Sequence, residues 1–291
     1  WTKVIDKLPD VTLNAEVIVA KSDNADTVYA GNLLPGTIYR SIDKGLTWDS
    51  ISVIEDIPFL CTITIRKDSN NVMFAGCADG IIRKSVDGGL TWRKTTMMRN
   101  TNEPFTDFEI PKIVFSSVNP AVGYAAATVF FPLAQPNAGL YRTTDWGETW
   151  HHFQFRDTSM WALDVRERFG ADELFAGGFS GFAAELPGRG VVRHSVDNGA
   201  LWMDVDDNIE WVEGENFHAD VWMMKYLGPK DNPRLYMTSE AGLFIYDIAL
   251  PVSEPAVSNR RMLTIAADVI TVTPDETTPA TLTLRCSDVL G

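Results

Sequence analysis

The chain is predicted to be an all-β propeller of four-stranded antiparallel blades, and three observations predict it. One pattern, Ser/Thr-x-Asp-x-Gly-x-Thr-Trp, occurs three times in full and once with a substitution. Its copies begin at residues 41, 85, 143 and 195, so they stand 44, 58 and 52 residues apart, about the length of a four-stranded blade with its loops. Ahead of each copy run segments that alternate apolar and polar residues between Gly/Asn/Asp/Pro turns, with no long stretch of helical periodicity.

In chain order, two strands and a short third are read from 16–31 and 36–41, from 61–76 and 80–85, from 112–127 and 139–144, and from 162–178 and 190–195. Each set ends in the pattern: Ser41, Asp43, Gly45, Thr47 and Trp48; then Ser85, Asp87, Gly89, Thr91 and Trp92; then Thr143, Asp145, Gly147, Thr149 and Trp150; then Ser195, Asp197, Gly199 and Trp202. Asp folds its carboxylate onto nearby backbone N–H groups, Gly supplies a positive φ, and the hydroxyls satisfy what remains. The Trp opens the fourth strand and buries a large ring. In the fourth copy Leu201 replaces Thr, which leaves the hydroxyl contact open. A fifth unit, 224–247, has the strands without the pattern, so residues 1–250 hold about five blade-equivalents. Trp1-Thr2-Lys3-Val4 reads like the segment after a box, as though Trp1 closed an upstream copy. The expectation is a propeller that needs more chain to close, or a ring closed by strand exchange between its ends.

These turns resemble the Asp-box, or BNR, repeat, found at the hairpin between the third and fourth strands of blades in sialidases, sortilin-type receptors, xyloglucanases and photosystem-assembly propellers. The resemblance implies structural rather than catalytic boxes. No second carboxylate accompanies all four aspartates at calcium-loop spacing.

From Pro251 the pattern changes. Residues 251–261 read as a Pro-broken linker, and 262–291 as a β-rich, Thr-rich segment without a box. Val269 to Leu284, followed by Ser287-Asp288-Val289-Leu290-Gly291, resembles the start of a type IX secretion C-terminal sorting domain, with Pro274-Asp275-Glu276 replacing the usual Pro-Asn-Pro turn. That resemblance implies export through the outer membrane of a Gram-negative bacterium, to a secreted or cell-surface location, with the secretion translocon or its shuttle proteins as partners. The alternative is one more irregular β-segment closing the fold.

A net charge of −14 argues against nucleic-acid binding and favours solubility. No apolar run is long enough to cross a membrane as a helix. Strand alternation pairs Ile65 with Met73 and Ile63 with Ala75, which sets Cys61 opposite Cys77, as a disulfide or as two buried thiols. Cys286 has no evident partner, no Cys/His set has zinc spacing, and no cofactor is expected.

Function is expected on the face away from the boxes, built by loops joining strands two and three and strand four to the next blade, where the excess length sits. The candidate ligand-binding residues are Phe105, Asp107, Phe131, Phe182, Trp211, Glu213, Glu215 and His218. Phe108, Glu109, Phe130, Gln135, Glu185, Arg189, Asp206, Asp207 and Glu210 share these loops. Aromatic faces beside carboxylates suit a sugar, and the same composition suits a protein interface; each aromatic also has the plainer role of plugging its own loop.

Three functions remain open: a non-catalytic recognition or adhesion module for a glycan or protein; a glycoside hydrolase using a carboxylate pair such as Asp107 or Glu109 with Glu213 or Glu215; and an assembly factor. Sialidase chemistry needs an arginine cluster that is not recognisable here. The assembly reading draws on the basic position before each box (Arg40, Lys84, Arg142, His194), which a structural contact of the third strand explains equally.

Overall fold

The computed structural model describes residues 15–21, 23–24, 26–98, 108–129, 137–156, 158–180, 189–211, 221–228, 234–239 and 242–247, and the backbone of 262–266, 269–273 and 282–285. The chain divides into two compact units, Trp1–Asp247 and Ile248–Gly291.

The first unit is all-β. Blade one comprises β1 (Ala15–Ala20), β2 (Val28–Asn32), β3 (Thr37–Ser41) and β4 (Asp49–Val53). Blade two follows with β5 (Leu60–Ile65), β6 (Met73–Cys77), β7 (Ile82–Ser85) and a two-residue β8 (Arg93–Lys94). The chain then runs through β9 (Thr96–Met98) into blade three, formed by β10 (Phe108–Phe115), β11 (Gly123–Val129), β12 (Gly139–Thr143) and β13 (Thr149–Gln154). Within a blade all pairing is antiparallel, but β9 pairs in parallel with the outer edge of β13, an addition that the sequence pattern does not announce. Blade four is β14 (Thr158–Arg168), β15 (Ala171–Ser180), β16 (Arg189–Ser195) and β17 (Met203–Asp204). Blade five, with β18 (Val221–Leu227), β19 (Arg234–Ser239) and β20 (Gly242–Asp247), has three strands among the described residues. The first strands of successive blades, β1, β5, β10, β14 and β18, pack side by side.

The core lies between blades. On each second strand one parity faces the preceding blade and the other faces the next. Phe74 and Ile82 of blade two meet Ile110, Ile113, Ala125, Tyr141 and Trp150 of blade three, and Tyr124 and Ala126 of blade three meet Leu163, Leu174 and Ala176 of blade four. The forward-facing pair is an aromatic followed by a small residue: Tyr29 and Gly31, Phe74 and Gly76, Tyr124 and Ala126, Phe175 and Gly177. The small residue admits the neighbour. A Cβ on Gly76 would lie 2.2 Å from the Ile110 carbonyl oxygen, and one on Gly177 2.5 Å from Met224.

All five first strands carry a register shift near their start, between Ala15/Val17, Leu60/Thr62, Glu109/Lys112, Met160/Ala162 and Val221/Met223. This corrects the cysteine pairing. Strict alternation puts Cys61 opposite Cys77, but Leu60 pairs with Cys77 and Thr62 with Gly76, leaving Cys61 as the extra residue of a bulge; both thiols are free. The inserted residue slips the parity by one, so extrapolating from Ile63 across it fails.

The second unit holds an antiparallel sheet of β21 (Met262–Ala266), β22 (Val269–Thr273) and β23 (Leu282–Arg285). Trp1 and the linker 251–261 lie outside the described residues.

Candidate functional site

The boxes are turns held by their own side chains. In the first, Ser41 Oγ donates to Asp43 Oδ1 at 2.7 Å and accepts from the Gly45 N–H at 2.8 Å. Asp43 Oδ1 accepts from the Thr47 N–H at 2.8 Å, Thr47 Oγ1 donates to Asp43 Oδ2 at 2.6 Å, and the Trp48 indole N–H donates to the Gly45 carbonyl at 2.9 Å. The second box repeats every one of these bonds. In the fourth, where Leu201 brings no hydroxyl, the Leu201 N–H reaches both Asp197 oxygens, at 2.9 and 3.1 Å. The Thr47 hydroxyl, with the Thr47 amide and Ser41, holds the Asp43 carboxyl down at about 2, and Thr91 with Ser85 does the same for Asp87. In the first two boxes both oxygens of the Asp carboxylate are engaged in shaping the turn.

Three of the four basic residues before the boxes have partners within the blades. Lys84 Nζ donates to the Trp146 carbonyl at 2.7 Å and to Glu148 at 2.8 Å in the box of the next blade. The Arg142 guanidinium lies over Tyr124 and Phe153, and His194 bonds to buried Glu173 at 2.9 Å and stacks on Phe175 at 4.0 Å.

First and third strands run the same way, and the boxes follow third strands, so the bulges near the starts of first strands lie at the opposite end, where the functional loops were expected. A bulge re-aims a side chain and often sits beside a functional site. In blades two, four and five the inserted residues are Cys61, Trp161 and Trp222, and in blade three Ile110 and Pro111 stand opposite one residue. They come together across blades. Trp161 and Trp222 meet edge to face, 5.4 Å between centroids at 65°, with Trp222 47% exposed. Burial, and then the Glu109 carboxylate of blade three, push the Cys61 thiol up.

Further along these strands, buried Asp164 of β14 accepts from the Tyr226 N–H at 2.8 Å and pairs with Lys225 of β18 at 3.2 Å. Lys112, directly after the bulge of β10, is half-buried, and no carboxylate lies within ion-pair distance of it among the described residues. Burial lowers its ammonium pKa, Asp164 opposes that shift and Lys225 adds to it. Elsewhere, a cavity of ≈ 270 Å³ between the outer strands of blades one and two is lined by Val53, Glu55, Arg83, Leu90, Trp92 and Lys94 among others.

Of the candidates named from sequence, Phe105, Asp107, Phe131, Phe182, Glu213, Glu215 and His218 lie outside the described residues. Trp211 is half-buried with its indole N–H enclosed and without a hydrogen-bond partner. Glu109 is half-buried on β10, Asp206 is buried 4.0 Å from Arg193, and Asp207 and Glu210 are exposed. Trp161, Trp222 and Lys112 were missed, because they sit on strands rather than loops. A signal for them exists: apolar residues at Leu60, Ile63, Ile65, at Ile110, Ile113, Phe115, at Met160, Leu163, Val165 and at Val221, Met224, Tyr226 show a gap of three and then two, which marks the bulge. Among the described residues no group of three His, Cys, Asp or Glu could hold a metal, and no helix is long and apolar enough to cross a membrane.

No protein-family model matches the chain, and no curated protein sequence matches it. Solved structures do. An ancestral GH74 enzyme aligns with a TM-score of 0.59 at 14% identity, over 80% of this chain and 30% of that one. A GH74 enzyme of Niastella koreensis aligns at 0.56 and 17%, over 91% and 42%. YCF48 bound to the D1 peptide aligns at 0.51 and 15%, over 92% and 77%. The chain spans less than half the length of the GH74 proteins it matches. At such identity the likeness concerns the fold, and the fold of the first unit is that of an Asp-box β-propeller.

Proposed function

We propose that this propeller is a non-catalytic recognition module that binds a glycan or protein ligand at the end of the blades away from the boxes. The observation that carries the reading is the recurrent bulge, which in blades four and five turns two tryptophans together at that end with one half exposed. Trp is, with Tyr and Arg, among the side chains enriched at binding hot spots. At the opposite end Asp43, Lys84 and His194 are occupied within the blades, and Trp146, as exposed as Trp222, lies against the Arg66 guanidinium. A glycan array with mass-spectrometric product analysis of each hit, run beside a peptide array, tests this. Binding without cleavage that is lost in Trp222→Ala is the expected result; binding unaffected by that change sinks the reading.

A second reading, glycoside hydrolase, is favoured by the likeness to GH74 enzymes. Its test is Glu213→Gln with Glu215→Gln, which abolishes turnover if either carboxylate is catalytic and leaves a module's binding of neutral glycans intact. We further propose export as type IX secretion cargo, with the segment 262–291 engaging the translocon and the propeller displayed at or beyond the outer surface. Deleting 262–291 is expected to trap the chain in the periplasm of a type IX-competent host; unchanged export would sink this assignment.

A further inference from the structure

An open strand edge is a row of unpaired N–H and C=O groups that invites another chain, and proteins blunt it by shortening, charging or covering it. In blades two, three and four the outer edge is managed in these ways: β8 and β17 are cut to two residues, the first of them Arg93-Lys94, and β9 covers β13. Blade one is the exception. Its outer strand β4 runs five residues, Asp49-Ser50-Ile51-Ser52-Val53, with neither Pro nor Lys and with no strand beyond it among the described residues. Its last residue lines the ≈ 270 Å³ cavity between blades one and two. Ser52 Oγ donates to the Gly89 carbonyl at 2.5 Å and accepts from the Trp92 indole N–H at 3.2 Å, which fastens the strand to the box of blade two. Val53 lines the cavity from one side, Leu90 and Trp92 from the other, and Val53 and Leu90 are both exposed. Arg83 in its wall needs no ligand, since Asp79 holds its guanidinium at 2.6 and 2.9 Å.

We propose that the outer edge of β4 is a docking site for an extended segment of a partner polypeptide, which adds to blade one as a parallel strand and sets one apolar side chain in the cavity. The chain carries its own template for this mode. β9 lies parallel to β13, and its Met97, opposite Trp150, packs against the buried cluster between blades two and three. At β4 no rim strand is present among the described residues, and the adjoining junction holds a cavity with room for one large side chain. In strand addition the main-chain hydrogen bonds supply affinity, and a pocket that takes alternate side chains supplies selectivity. The mouth of the cavity sets the chemistry of the segment: exposed Glu55 and Asp56 outnumber exposed Lys94, so a Lys or Arg stands beside the apolar residue. This edge belongs to blades one and two, whereas the paired tryptophans belong to blades four and five, and the inference does not depend on them.

The test is to pan the full chain against a phage-displayed library of short random peptides and to titrate the enriched peptides by calorimetry. Enriched peptides are expected to pair an apolar residue with Lys or Arg and to slow hydrogen exchange of the 50–53 amides. Val53→Arg, at an exposed position, should weaken them at least about tenfold. N-methylation of alternate backbone amides in the peptide should do the same, while Trp222→Ala leaves binding unchanged and unaltered melting curves show each variant to be folded. No enrichment, or peptides that keep their affinity for Val53→Arg, overturns the docking site. Affinity that survives N-methylation overturns strand addition. Protection of 50–53 that rises with protein concentration alone, with dimers in light scattering, gives the edge to a second copy of this chain and overturns the partner segment.

Discussion

Within each box the residue before the glycine has a left-handed backbone: Lys44 at φ 63°, Gly88 at 74°, Trp146 at 65° and Asn198 at 62°. Only one copy places Gly there. A non-glycine L-residue in this region costs about 1–2 kcal/mol, partly offset by the entropy a glycine loses on folding, so Lys44→Gly is expected to raise the melting temperature slightly. Ser85 is buried and bonds to both Asp87 and the Gly89 N–H. Ser85→Ala orphans that buried N–H and should destabilise by about 1–3 kcal/mol in denaturant titration. The carboxylates predict acid behaviour. Asp43 and Asp87 are lowered from 3.8 to about 2 by their Thr and amide partners. Glu173 falls from 4.5 to about 2 because His194, Arg166 and Arg168 outweigh its burial. Groups lowered on folding stabilise above their unfolded values and lose that contribution as pH falls through the folded ones. Melting temperature is therefore expected to drop between pH 4.5 and 2, and Thr91→Val should move part of the loss to higher pH; a flat profile across that window would contradict it.

At the scale of strands and turns, what the sequence disclosed was what is local. Ser, Asp, Gly, Thr and Trp interact within eight residues, so the box bonds of Asp43 and Asp87 could be anticipated before any fold was known. Strand identity followed from alternation, as in Thr62 to Ile65. The bulges did not, because an extra residue such as Cys61 changes which partner stands opposite without changing composition. Trp161 and Trp222 were passed over for a related reason: on a strand, a Trp reads as core, and only the exposure of Trp222 at the end of its blade marks it otherwise. The loop residues Phe105, Asp107 and Glu213 were chosen on composition, which names chemistry and not position. Blade contact itself predicts one variant sharply. Gly76→Ala drives a Cβ into the Ile110 carbonyl and must part blades two and three, a backbone clash expected to cost about 1–3 kcal/mol or more, measurable by denaturant unfolding.

For the molecule as a whole, stability is a chain of nearest-neighbour interfaces: the buried clusters join blade one to two, two to three and three to four. Such an array is free to open one blade interface at a time. One junction departs from that rule. After two residues of β8 the backbone leaves blade two, and β9 lies parallel along the rim of blade three, Thr96 opposite Thr149 and Met98 opposite His151. Blade three therefore cannot peel outward without dragging on blade two, and the rim strand of one is hydrogen-bonded by the continuation of the other. The pair should behave as a single cooperative foldon in native-state hydrogen exchange. Amides of 96–98 and 149–151 are expected to open with one common free energy, as a splice makes two ropes part together or not at all.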